Sequence, residues 1–260
     1  GFGTQTAALS ACGNEPTKNI SEEYDGSSWT SGNNANTARS GLSGGGIQTS
    51  GLIFGGTTNG SNSGTTGVTE SYDGTSFTNN PSLATARRIA GGTGDDAKAA
   101  IMFAGFSTSD LSNTEEYTQS TNTISGNSWA SGGNLGTSRR YISGCGTQTA
   151  TVAFGGFKPG AGNETELYNG SSWSEVNNLG TASYGKGAAG TQTAALAFGG
   201  SPEACESWNG SSWTSSPAMN NAIRMFGSCG VQTAALAFGG RPEPSVSAKT
   251  EEWNGSSWTT

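Results

Sequence analysis

The sequence predicts an all-β fold in which six four-stranded antiparallel sheets stand as blades around one axis, over a single domain spanning residues 1–260. Three observations carry this prediction. One ten-residue word recurs along the chain, a second, aromatic-rich word follows each copy, and helical periodicity is essentially absent from a chain holding 43 Gly among its 260 residues. Sequence repeats with a period of about 20–50 residues mark solenoids, propellers or arrays.

The first word reads TQTAALSACG at 4–13, IQTSGLIFGG at 47–56, TQTATVAFGG at 147–156, TQTAALAFGG at 191–200 and VQTAALAFGG at 231–240. Its glutamines fall at Gln5, Gln48, Gln148, Gln192 and Gln232, at intervals of 43, 100, 44 and 40. The wide interval holds a degenerate sixth copy, DDAKAAIMFAGF at 95–106. A short apolar run bounded by turn residues suits a strand buried on both faces. The Gly-Gly behind it lets the backbone leave the strand with positive φ, and the Gly-Thr-Gln-Thr before it reads as a turn.

The second word reads SEEYDGSSWT at 21–30, TESYDGTSFT at 69–78, TELYNGSSWS at 165–174, CESWNGSSWT at 205–214 and TEEWNGSSWT at 250–259, with a stretched copy over 114–131. Asn-Gly or Asp-Gly between strand-like flanks predicts a two-residue hairpin with positive φ at both central residues. The aromatics on either side then meet across the hairpin and fill the space between neighbouring sheets. The third word, NTARSGLSGGG at 36–46, returns at 84–94, 136–146, 180–190 and 221–230. It reads as a strand with glycines where packing is tightest. Each unit thus holds four short strands in about 40–50 residues, the size of a β-propeller blade. The approximate blades are 1–35, 36–83, 84–135, 136–179, 180–220 and 221–260.

Six second words but five third words predict that one blade is incomplete, because only Gly1–Gly3 precede the first Thr-Gln-Thr. Its innermost strand would come from residues upstream or from a partner chain by strand addition, or the blade would be three-stranded. An open sheet edge attracts other chains, so this seam is expected to be covered. The chain opens at Gly1 without Met, as a processed or excised piece would.

This order of words resembles the kelch repeat over the whole chain. The resemblance rests on the glycine pairs Gly55–Gly56, Gly155–Gly156, Gly199–Gly200 and Gly239–Gly240, and on the aromatic pairs Tyr24/Trp29, Tyr72/Phe77, Tyr168/Trp173, Trp208/Trp213 and Trp253/Trp258. Arg39, Arg87, Arg139 and Arg224 take the family's arginine position. The first blade departs with Ala-Cys-Gly, the third with Phe-Ala-Gly and a long hairpin, and Ser183 replaces the arginine before the fifth. The wording is similar to a divergent kelch-like variety of bacteriophage structural proteins and environmental bacterial surface proteins. The kelch family includes copper radical oxidases, whose sites need histidines.

This chain has no histidine. That removes Ser-His-Asp and Cys-His triads and nearly all catalytic zinc and copper sites, so no metal or other cofactor is expected. The adjacent pairs Glu22/Glu23, Glu115/Glu116 and Glu251/Glu252 lie on strands, where neighbours point to opposite faces. One member is expected to cap a turn and the other to meet solvent. Glycine-rich stretches such as residues 43–46 lack the Lys-Ser/Thr of a phosphate loop. Cys12, Cys145, Cys205 and Cys229 show no metal spacing and read as small buried hydrophobes. A net charge of −7 argues against a nucleic-acid partner, and no apolar run approaches the ~20 residues of a membrane-spanning helix. The Asn-Gly-Ser sequons at Asn169, Asn209 and Asn254 are explained by the hairpin turn.

The resemblance implies that Arg39, Arg87, Arg139 and Arg224 start the innermost strands and ring one mouth of the central channel, with Arg88 and Arg140 beside them. Such a ring would hold carboxylate, sulfate or phosphate groups; the alternative is that each arginine satisfies carbonyls beneath a neighbouring blade. The variable loops after each Gly-Gly (residues 14–19, 57–67, 107–113, 158–163, 201–204 and 241–248) form a second candidate surface, sharing a face with the connections between blades. Tyr141, Tyr184, Phe106, Phe157 and Phe226 are candidate aromatic platforms there. The expected function is non-catalytic binding to a glycan or surface polymer, in a phage tail fibre or bacterial surface protein, outside the cell or on a virion. The alternatives are a structural subunit assembling with itself or with virion or filament proteins through the incomplete blade, and a polysaccharide hydrolase or lyase, for which no nucleophile, base or metal cluster emerges.

Overall fold

Four short strand words separated by turn residues can bury their apolar faces only by stacking sheet on sheet, and the chain does so six times round. The computed structural model describes residues 1–13, 17–120, 126–241 and 246–260. Six four-stranded antiparallel sheets, each in simple sequential order, form a six-bladed β-propeller. The innermost strands, Phe2–Thr4, Ser43–Ile47, Gly91–Asp96, Ser143–Thr147, Gly187–Thr191 and Gly227–Val231, line the central channel. Glycine is required there by proximity: a Cβ on Gly45 would collide with the backbone of Gly94 in the next blade.

The Ala-rich second strands are the core. Leu9, Leu52, Ile101, Val152, Leu196 and Leu236 are fully buried, as are Phe54, Phe103, Phe154 and Phe198. Aromatics of the third and fourth strands close the gaps between blades, as the second word predicts. Tyr24 meets Trp29 at 5.0 Å and Trp208 meets Trp213 at 5.2 Å within their hairpins. Trp29 also packs on Phe238 at 4.8 Å, across the junction of the first and last blades.

The expectation of an incomplete blade is corrected. Phe2–Thr4 pairs with Ala7–Leu9 in register and completes the first sheet. Phe2, 4% exposed, fills the space left by Gly51 of the second blade. The ring therefore closes by side chains rather than by a borrowed strand. Gln5 Nε2 donates to the carbonyls of Ala235 (3.3 Å) and Trp253 (2.9 Å), Tyr24 donates to Glu252 (2.8 Å), and Trp29 Nε1 donates to Thr250 Oγ1 (3.0 Å).

The same glutamine stitch recurs at other junctions. Gln48 reaches Ala8 and Tyr24, Gln148 reaches Ala100 and Tyr117, Gln192 reaches Thr151 and Tyr168, and Gln232 reaches Ala195 and Trp208. Each ties a blade to two carbonyls of the blade before it, which is why the word keeps Gln. The degenerate copy lacks it and carries an extra residue, which appears as a register shift between Ala99 and Ala100. There Ala97 N donates to Ser50 Oγ at 3.2 Å instead.

Two local expectations change. The two-residue hairpin lies at Gln-Thr, since Thr4 pairs with Ala7 and Thr147 with Ala150. The Asp-Gly and Asn-Gly words instead make four-residue loops, because Tyr24 pairs directly with Trp29. In these loops only the glycine takes positive φ (Gly26, +93°), and the Asp25 carboxylate accepts the Ser27 and Ser28 amides at 2.8 Å. The side chain thus supplies the turn's acceptor. Of the adjacent glutamates, Glu115 and Glu251 accept backbone amides where the chain enters their blades, as the capping role expects, and Glu22 is exposed. Glu23, Glu116 and Glu252 are not left to solvent but accept tyrosine hydroxyls from the following blade.

Candidate functional site

The channel is a cavity of about 470 Å³ walled mainly by Gly, Ser, Thr, Ala and Cys of the innermost strands. Its chemistry is chiefly backbone. Asp95 and Lys186 are the charged side chains at its wall among the described residues.

Arg39, Arg87 and Arg139 do not face a channel mouth. All three are 0% exposed. In each, one guanidinium nitrogen donates to two carbonyls and the other to a glutamate. Arg39 bonds Gly55 O (3.1 Å), Val68 O (2.5 Å) and Glu70 (2.8 Å). Arg87 bonds Ala104 O, Asn113 O and Glu115, and Arg139 bonds Gly155 O, Glu164 O and Glu166. Burial lowers the pKa of each guanidinium, and the facing glutamate counters it. These arginines hold the exit of the second strand, where the chain turns through positive φ at Gly55, Ala104 or Gly155. Cys12 takes the same conformation in the first blade, so the departures Ala-Cys-Gly and Phe-Ala-Gly keep the turn without its usual glycine.

The fifth blade reaches this end by another route. Ser183 occupies the arginine position, and Lys186, three residues on, donates to Gly199 O (2.9 Å) and Ala204 O (2.5 Å). Burial brings Lys186 down to about 8, with Glu206 opposing that shift.

Arg224 stands one position later than the sequence word suggested. Isolated bridges pair Ser40 with Thr57, Arg88 with Phe106, Arg140 with Phe157, Tyr184 with Ser201 and Arg224 with Arg241. Ile223, 3% exposed, therefore fills the slot of Arg39, and Arg224 joins Arg88, Arg140 and Tyr184 on the surface. The next residue in each blade, from Gly41 through Ile89, Tyr141 and Gly185 to Met225, has positive φ. A relay of backbone hydrogen bonds of 2.7–3.0 Å links these five residues in succession around one mouth.

On this face arginines lie against aromatic rings. The Arg88 guanidinium lies 5.6 Å from the Phe106 ring, and that of Arg140 lies 5.2 Å from Phe106 and 4.6 Å from Phe157. Phe157 meets Tyr184 edge-on at 5.3 Å, and Tyr141 lies 5.9 Å from Tyr184. Arg224 sits 5.7 Å over the Tyr184 ring and donates to its hydroxyl at 2.8 Å. Arg140, Tyr141, Phe157, Tyr184 and Arg224, with Met225 and Arg241, border a hollow of about 330 Å³. Phe157 is fixed by a small hairpin, Phe157–Lys158 with Gly160–Ala161, which the Lys158–Glu164 ion pair braces.

Of the expected ligand-binding residues, the fold brings Arg224, Tyr141 and Tyr184 together and withdraws Arg39, Arg87 and Arg139. Arg241 and Met225 belong to the hollow without any signal in the repeat. The bridges place the segments after each Gly-Gly on this same face; residues 14–16 and 242–245 of those loops lie outside the described residues. Phe226 packs in the core against Phe198 (5.7 Å) instead of offering a platform. The four cysteines are free. No protein-family model matches the chain, and no curated protein matches it.

Proposed function

We propose that this propeller is a non-catalytic binding module that recognises a glycan or surface polymer through the face bearing Arg140, Phe157 and Tyr184. The observation that carries the reading is the hollow of about 330 Å³ where aromatic rings and guanidinium groups converge on a rigid scaffold. Flat rings accept the apolar faces of sugars, and stacked arginines supply planar donors for oxygen atoms. The likeness of the repeat to the divergent kelch-like variety supports a place in a bacteriophage tail fibre or a bacterial surface protein, acting outside the cell or on a virion. Assembly by strand addition at an incomplete blade loses its basis, since the first blade has its four strands.

A glycan array probed with the wild-type chain and with Phe157→Ala and Tyr184→Ala variants tests this. Selective glycan binding by wild type, lost in both variants while the thermal midpoint is kept, is the expected result. An array on which the wild-type chain binds nothing selectively overturns the reading.

A further inference from the structure

The same face states what kind of polymer it suits. Arg88, Phe106, Arg140, Phe157, Tyr184 and Arg224 set cations beside rings across the last four blades. In the third and fourth blades this follows from the bridges of Arg88 with Phe106 and of Arg140 with Phe157. A neutral polymer would use the rings and leave the guanidinium groups idle. A guanidinium stacked on a ring is fixed in orientation, and its fork of N–H donors matches a carboxylate or sulfate bidentately. In a chain of net charge −7 this concentration of arginine is a local reversal of sign.

The face also carries its own competitor. Asp110 Oδ1 pairs with Arg140 at 2.8 Å, with the side chains 19% and 28% exposed. Arg88 bonds the neutral Asn62 side chain instead. The ion pair keeps part of its surface in water and so holds less firmly than a buried one, which lets an incoming anion compete with Asp110 for Arg140.

Resting on the glycan reading above, we infer that the polymer is an acidic glycan, bearing carboxylate or sulfate groups, which lies across the last four blades with sugar faces on Phe157 and Tyr184 and acid groups on Arg88 and Arg140, where Asp110 competes.

Calorimetric titration with size-matched polygalacturonate, dextran sulfate, dextran and poly-glutamate tests this. Both acidic glycans should bind at least about tenfold more tightly than dextran, as charge-assisted hydrogen bonds allow, and added salt should weaken them. Arg140→Ala should lose about that factor, and Asp110→Asn should tighten binding several-fold, a gain that misfolding cannot produce. Dextran binding as tightly as polygalacturonate overturns the acidic assignment while leaving the glycan reading standing. Poly-glutamate binding as tightly as polygalacturonate overturns the glycan reading and leaves an anion site. Binding to none of the four overturns both, and an unchanged Asp110→Asn variant overturns the role given to Asp110.

Discussion

Arg39 Nη2 and Glu70 Oε1 stand 2.8 Å apart with both side chains wholly shielded from solvent. The same pair recurs as Arg87 with Glu115 and Arg139 with Glu166. Each glutamate also accepts backbone amides where the chain enters its blade, as Glu70 does from Asn36 (2.7 Å) and Thr37 (3.3 Å). The pair therefore locks the blade's entry to its second and third strands. Arg39→Met should destabilise the protein by about 3–5 kcal/mol, because it strands a buried carboxylate and two carbonyls. Urea denaturation at neutral pH measures this; a loss under 1 kcal/mol would contradict the assignment.

Lys186 should leave a pH signature. Its folded pKa of about 8 lies below the ordinary 10.5. Between those values the unfolded chain holds more protons, so stability rises with pH across that window, and the full penalty applies below about 8. Lys186→Met removes this term. The stability gained by wild type between about pH 7.5 and 10 should exceed that of the variant by ~1–3 kcal/mol. Parallel curves for the two proteins would count against a charged lysine buried in the fifth blade.

Ring closure should be sensitive to Gln5. Its amide serves two carbonyls of the last blade, at Ala235 and Trp253. Gln5→Ala should cost about 1–3 kcal/mol through the donors those carbonyls lose. Gln192→Ala, at an interior junction, should cost a similar amount. The comparison of melting midpoints decides whether the junction of the first and last blades is an ordinary one.

The hairpin acceptors should interchange between Asn and Asp. Asn169 Oδ1 accepts the Ser171 and Ser172 amides at 3.0 and 2.9 Å, as Asp25 accepts those of Ser27 and Ser28. Hydrogen bonds from Ser28 and Ser27 hold the Asp25 carboxyl down at about 2, against an ordinary 3.8. Asn169→Asp should thus be neutral at pH 7 and add an acid-sensitive contribution, present above the ordinary value and lost as pH falls through about 2. Asn169→Ala should lower the melting midpoint at every pH. Thermal scans from pH 2 to 7 would show otherwise if the turn did not rely on this acceptor.

The thiols should be inert in the native state. Burial pushes Cys145 and Cys229 up to about 12 and Cys205 up to about 11. A thiol reagent at pH 8 should label these three only after denaturation, since the thiolate is the reactive form. Rapid native labelling of Cys145 would show that its strand opens readily.

Blade number, strand order and the pairing of aromatics were legible because each is written as a repeat, and a repeat can bury its faces only against its neighbours. The roles of Gln5 and its counterparts were not, since a turn reading accounts for Thr-Gln-Thr without revealing that the amide leaves its own blade. The arginines misled for a related reason. The family resemblance implies an arginine before each innermost strand, but whether it opens to solvent depends on a glutamate about thirty residues away, Glu70 for Arg39. In the last blade one shifted residue turned a core position into a surface one, and only the bridge of Arg224 with Arg241 reveals the shift.

The sequence by itself determined the kind of object this is: a ring of six thin sheets, glycine-walled at the axis and aromatic between blades, because local strand and turn chemistry repeats six times. Tertiary structure alone decided which charges are spent inside and which are offered outside. Burial and pairing depend on segments that meet only after the ring has closed, so Arg39 and Arg139 became struts while Arg140, one residue on, stays partly exposed.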